Sequence, residues 1–224
     1  MPITVVAQGR PHRGEIGQAL EERAMQTLGR TATAERAWRA RDLVTGRMAC
    51  AAIGVVGFAA LTALGAFVRI PLTFTPVPIT MQTFFVNLAG AVLGPGLGSA
   101  AEVLYVGMGV AGLPIFAGAH SGFARLVGPT GGYLIAFMIV PLVVGRLVRL
   151  RANPGFWWVV LCMVCGSVIT FTVGATQLAL FLGTGPADAF QKGVLPFLPG
   201  DALKIAAAAA IYRAIGARTR QIYG

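Results

Sequence analysis

Residues 155–187 run for 33 positions without a charged side chain, and residues 48–68 for another 21. A helix needs about 20 mostly apolar residues to cross a bilayer, so either stretch is long enough to span one. Composition agrees: 56% of the chain is hydrophobic and 12% charged, against roughly 45–50% and about 25% in soluble domains. The sequence therefore predicts an all-α integral membrane protein.

Breaks between apolar segments set the number of spans. The first is expected over 48–68. Arg69 opens a segment in which Pro71, Pro76 and Pro78 prevent helix until about Thr80. A short second span over 80–93 ends at Gly94-Pro95-Gly96, and a third over 97–113 stops at Pro114. After a Gly-rich loop over 115–130, a fourth span covers 131–150, a fifth 156–182, and a sixth begins near Asp201. Thirty glycines and 13 prolines suit such helices, because small residues let neighbours approach closely. The expected organisation is a bundle of six transmembrane helices over residues 48–220. It follows a basic, poorly ordered cytoplasmic extension over 1–47, of which a start at Met25 or Met48 would remove a part or all.

The net charge of +10 would suggest nucleic-acid binding in a soluble protein. Its placement argues for topology instead. Residues 1–47 carry eight arginines and five acids, and the other 177 residues only ten Lys/Arg and three acids. With both termini cytoplasmic, the inside collects fourteen cations: those eight, Arg146, Arg149 and Arg151 after the fourth span, and Arg213, Arg218 and Arg220 at the C-terminus. The outside receives Arg69, Arg125, Lys192 and Lys204. Fourteen against four satisfies the positive-inside rule.

Several chemistries lack their residues. The lysines sit in QKG and LKI, so no P-loop exists to bind ATP phosphates. Neither G-x-S-x-G nor H-E-x-x-H occurs, and His12 and His120 lie on the arm and in a loop. Cys162 and Cys165 form a C-x-x-C without a second pair or a nearby histidine, a poor start for a zinc site. No cofactor, metal or catalytic residue is expected, and the chain reads as a non-enzyme.

Ionisable groups at membrane depth remain, and these are functional candidates by default. In Leu198-Pro199-Gly200-Asp201-Ala202-Leu203-Lys204 the i, i+3 spacing puts acid and amine on one helix face, suited to a neutral ligand with N–H donors and a carbonyl. The alternative is an N-terminal acid beside a snorkelling lysine. Arg125, alone in the Gly-rich loop, suits a ligand carboxylate or a lipid headgroup. Gln82 suits solute contact or helix–helix hydrogen bonding, Asn87 the latter. Glu102 reads as a structural or partner contact, Trp157 and Trp158 as an interfacial belt.

Four motifs carry a resemblance: Pro76-Val77-Pro78-Ile79-Thr80-Met81-Gln82-Thr83, Gly112-Leu113-Pro114-Ile115-Phe116-Ala117-Gly118, Gly128-Pro129-Thr130-Gly131-Gly132-Tyr133-Leu134 and Leu198-Pro199-Gly200-Asp201-Ala202-Leu203-Lys204. In these the chain resembles the BioY family of biotin transporters, the substrate-binding S components of energy-coupling factor systems, over about residues 48–216. The resemblance implies high-affinity biotin uptake across the bacterial cytoplasmic membrane, with biotin near the outer face under the loop over 69–79. It implies Asp201 and Lys204 at the biotin, with Gln82 and Tyr133 lining the pocket. Biotin's ureido ring offers two N–H donors and a carbonyl to such a pair, and Arg125 is the available cation for its valerate carboxylate. Implied partners are a transmembrane coupling protein and two ATP-binding subunits, met through small residues on the first helix, here Cys50 with Gly54 and Ala59 with Ala63. A member working without that module, a carrier or permease for another vitamin and, less well, an integral membrane enzyme are the alternatives.

Overall fold

A computed structural model describes residues 46–223, and the extension expected over 1–47 lies outside them apart from its last two residues. Ala49–Gly224 forms one compact unit, and the first described element begins just ahead of it at Gly46. The order of elements is α1 (Gly46–Phe67), β1 (Arg69–Ile70), β2 (Ile79–Thr80), α2 (Gln82–Leu93), α3 (Pro95–Val110), α4 (Ala124–Val127), α5 (Gly131–Arg149), α6 (Phe156–Leu182), α7 (Pro186–Gly193), a 3-10 turn (Leu195–Phe197) and α8 (Leu198–Tyr223).

Among the described residues, four helices are long and apolar enough to cross a membrane: α1, α5, α6 and the run Pro186–Gly216 that ends in α8. Large apolar side chains point outward from them, as at Ile53, Trp157, Leu180 and Leu203, each more than 70% exposed. Water would penalise such a surface, whereas lipid accepts it. α2 has only 12 residues, about 18 Å at 1.5 Å per residue, less than the hydrocarbon thickness. It needs no lipid-matched length, because ten of its twelve residues are buried and it packs among α3, α5, α6 and α8.

Small residues make that central packing close. A side chain at Gly90 would come within 2.7 Å of the Pro141 Cα in α5, and one at Gly98 within 2.9 Å of the Ala89 carbonyl. Gly94, at φ +83°, turns α2 directly into α3, with Pro95 in the first turn of α3 where its missing N–H costs nothing. On α1, Gly54 packs against Leu93 and Tyr223, and Ala59 is fully buried. These two members of the expected small-residue pairs thus contact this chain's own helices, while Cys50 is exposed. Glu102, fully buried, accepts a 2.9 Å hydrogen bond from the Thr62 hydroxyl and ties α3 to α1. Asn87 donates to Thr83 O within its own helix, not across to a neighbour as expected.

Arginines gather at one end of α5 and α8. Arg149 donates to Leu93 O and Tyr223 O, Arg213 to Pro154 O, and Arg220 to Val148 O and Arg151 O. Leu93 O, Val148 O and Tyr223 O lie in the last turns of their helices, where carbonyls lack intrahelical partners, and Arg151 O and Pro154 O lie in the turn between α5 and α6. Trp158 belongs to the same end, its indole N–H donating to Leu147 O beneath the Arg151 guanidinium. Trp157 is 78% exposed.

The expected boundaries shift in several places, and the third span, expected over 97–113, is α3 at Pro95–Val110. α8 begins at Leu198, three residues before Asp201, so Pro199 and Gly200 lie in its first turn. The Gly-rich loop contains the short α4, and α7 occupies what was expected as loop after 182. The proline-rich segment is closed as an antiparallel hairpin, Arg69 opposite Thr80 and Ile70 opposite Ile79.

Candidate functional site

At the end of the bundle away from those arginines, the first turns of α2, α5 and α8 surround a cavity of about 340 Å³, covered by the 69–80 hairpin and the loop between α3 and α4. This lies within the roughly 300–1,000 Å³ usual for small-molecule sites. Asp201, Lys204, Arg125, Gln82 and Tyr133, far apart in sequence, all line it.

Asp201 sits in the first turn of α8, where the macrodipole favours an acid. It is only 4% exposed, yet its carboxylate has no hydrogen-bond or ion-pair partner among the described residues. Its oxygens stay open to the cavity, where a ligand's N–H groups could reach them. Lys204, one turn on, reaches α2 and donates to Thr83 Oγ1 at 3.2 Å.

Gln82 and Tyr133 line the wall with their polar atoms committed elsewhere. The Gln82 carboxamide oxygen accepts from Thr80 Oγ1 at 3.0 Å, and its Nε2 donates to the Tyr105 hydroxyl at 2.7 Å, which donates onward to Ile115 O. The Tyr133 hydroxyl donates to Gly193 O at 2.7 Å, tying α5 to the end of α7, and its ring lies where a side chain at Gly174 would have to go. Gln82 therefore fixes the start of α2, and Tyr133 presents a ring rather than a hydroxyl. Phe137, Phe171 and Phe197 add apolar faces, the last two with centroids 6.3 Å apart.

Three basic side chains share the more open part of the wall: half-buried Arg125 from α4, and exposed Arg69 and His120. Partial desolvation of its ring, then Arg125, then Arg69 hold the His120 imidazole below the usual histidine value. Sequence reasoning set Arg69 and His120 aside as loop residues. Only the pairing of β1 with β2, and of Phe116 with His120, brings them to the cavity, and no local pattern encodes it. Thr83, at the end of the first motif, was given no role of its own.

Helices of membrane-crossing length around a pocket with a buried acid, an amine, aromatic walls and a cationic rim define a membrane protein built to bind a small polar solute. The chain belongs to the BioY family, which matches it over residues 34–221. It is 42% identical to the "probable biotin transporter BioY" of Pyrococcus horikoshii, over 69% of this chain and 88% of that one. It is 39% identical to the biotin transporter BioY of Thermotoga maritima over the same shares. A crystal structure of the S-component for biotin from an ECF-type ABC transporter superposes with a TM-score of 0.70 at 25% identity, covering 74% of this chain and 89% of that one. These relatives are transporters, and multi-pass membrane placement accords with the long apolar helices.

Proposed function

We propose that this chain is the biotin-binding S component of an energy-coupling factor transporter, taking up biotin across the cytoplasmic membrane without catalysing a reaction on it. The observation that carries the reading is Asp201: an acid only 4% exposed that lines a solute-sized cavity with no donor to its carboxylate among the described residues. In this reading Asp201 accepts from the ureido N–H groups and Lys204 donates to the ureido carbonyl. The phenylalanines and the Tyr133 ring enclose the apolar parts, and Arg125 pairs with the valerate carboxylate.

The short α2 and α3 complete six crossings with the four long helices, and residues 1–47 form a separate cytoplasmic extension. Both termini lie inside and the cavity opens outward, a reading supported by the fourteen-to-four distribution of cations and by the gathering of Arg149, Arg213 and Arg220 at the end away from the cavity. Having no P-loop of its own, the chain depends on a coupling protein and ATP-binding subunits for active uptake. With Gly54 and Ala59 turned inward, exposed Ala52, Gly57 and Ala60 are what α1 offers such a partner.

Titrating the purified full-length protein in detergent with biotin, thiamine and riboflavin tests the substrate. Saturable, one-to-one retention of biotin alone is expected. Retention of another vitamin in its place, or none of biotin, overturns the assignment.

A further inference from the structure

We propose that Arg69 and His120 complete, with Arg125, a carboxylate subsite at the rim of the cavity, and that His120 takes up a proton as the ligand's carboxylate enters. The proposal rests on the biotin reading and adds two residues and a proton to it.

Three elements bring these side chains together. Arg69 is held in β1 opposite Thr80, Arg125 stands on α4, and His120 closes a tight turn whose ends exchange both backbone hydrogen bonds with Phe116, at 3.0 and 3.3 Å. Inside that turn Gly118 has φ +87° and Ala119 φ +58°. The left-handed region is strained for a non-glycine residue, and such strain collects where a side chain must be aimed. A side chain at Gly118 would lie 2.8 Å from Arg69 Nη1 and 3.2 Å from His120 Nε2, so guanidinium and imidazole converge on one point.

The local charge is unbalanced. Among the described residues, Asp188 is paired with Lys192, Glu102 is engaged by Thr62 in the helix core, and Asp201 is the one acid on the cavity wall. Asp201 and Lys204 face the cavity from α8, well inside the rim. Nothing anionic on β1, the 116–120 turn or α4 offsets Arg69 and Arg125. Two guanidiniums and a ring nitrogen around one opening suit a carboxylate, which Arg grips in its planar fork.

The proton follows from the same neighbours. Partial desolvation, Arg125 and Arg69 depress the imidazole pKa, so without ligand the ring is neutral at pH 7. An arriving carboxylate offsets both cations and raises that pKa, and the complex holds more proton than the free protein. Affinity must then increase as pH falls between the bound and free pKa values, by at most about tenfold per pH unit.

The test is equilibrium binding of biotin and of its amide to the full chain between pH 8 and 5.5, a range in which the valerate, with a carboxylate pKa of roughly 4–5, stays ionised. Biotin is expected to bind about 3- to 10-fold tighter at pH 5.5 than at pH 8, and the amide equally at both. His120→Gln should flatten the biotin profile and leave the amide unchanged, whereas His120→Arg should bind biotin tightly at every pH. Arg69→Gln should weaken biotin about tenfold and spare the amide. Calorimetry in buffers of different ionisation enthalpy should register proton uptake with biotin and none with the amide. A flat biotin profile for the unaltered protein, or equal slopes for biotin and amide, overturns the subsite while biotin binding itself stands. No saturable biotin binding at any pH overturns the transport reading and the subsite with it.

Discussion

Lys204 Nζ donates a 3.2 Å hydrogen bond to Thr83 Oγ1 across the contact between α8 and α2, and makes no ion pair with Asp201, three residues earlier on its own helix. The amine is oriented by a neutral hydroxyl, and the acid keeps its lone pairs for a ligand. Hydrogen bonds to charged groups contribute about 1.5–3 kcal/mol each, and 1.4 kcal/mol is a decade in affinity. Lys204→Met keeps the stem and removes the donor, so biotin should bind about ten- to a hundredfold more weakly in an equilibrium titration. Thr83→Val, which only loosens the amine, should lose less than tenfold.

Gln82, Thr80, Tyr105 and Ile115 form one continuous hydrogen-bonded chain behind the cavity wall. Tyr105→Phe deprives the buried Gln82 amide of its acceptor, at a cost of about 1–3 kcal/mol. For a chain of this size that is about 2–4 °C per kcal/mol in thermal midpoint. The variant should melt several degrees lower in detergent, and melting at the unaltered temperature would contradict a structural role for Gln82.

The Tyr133 ring occupies the space that a side chain at Gly174 would need, whereas Gly200 faces open space. Gly174→Ala should push the ring into the cavity, lowering both biotin affinity and melting temperature. Gly200→Ala, inside the Leu198-Pro199-Gly200-Asp201 motif, should leave the melting temperature unchanged. Tyr133→Phe loses the bond to Gly193 O, about 1 kcal/mol, but keeps the wall, so its affinity should stay within a few-fold. A large loss there would mean that the hydroxyl contacts the ligand.

Topology is open to cysteine labelling in a background where Cys50, Cys162 and Cys165 are replaced. Ala152→Cys, in the turn between α5 and α6, should react only from the cytoplasm, and Gln191→Cys on α7 only from outside. The reverse pattern would place the cavity on the wrong face for uptake.

Much of the frame was legible because hydrocarbon imposes simple rules. The fifth span was expected over 156–182 and α6 occupies those residues; the fourth ends one residue from its expected limit. Proline misled at the sixth, since Pro199 is tolerated in the first turn of α8 rather than marking the end of a loop. At the site, motif positions named Asp201, Lys204, Gln82 and Tyr133, and isolation in the Gly-rich loop named Arg125, but not which atoms face the cavity: Gln82 and Tyr133 turn their polar groups into the protein. Gly54 and Ala59 were legible as small but not as inward-facing, because which side of a helix meets its own bundle is decided by neighbours distant in sequence.

Biotin affinity of Asp201→Asn beside the unaltered protein, measured at equilibrium in the same detergent, tests the central claim most directly. The substitution keeps shape and burial but turns one acceptor oxygen into a donor aimed at the ureido N–H groups. The account predicts saturable one-to-one binding by the unaltered chain and a loss of about ten- to a hundredfold in the variant. Equal affinities would show that Asp201 is only an acid in the first turn of a helix, and that biotin is read elsewhere.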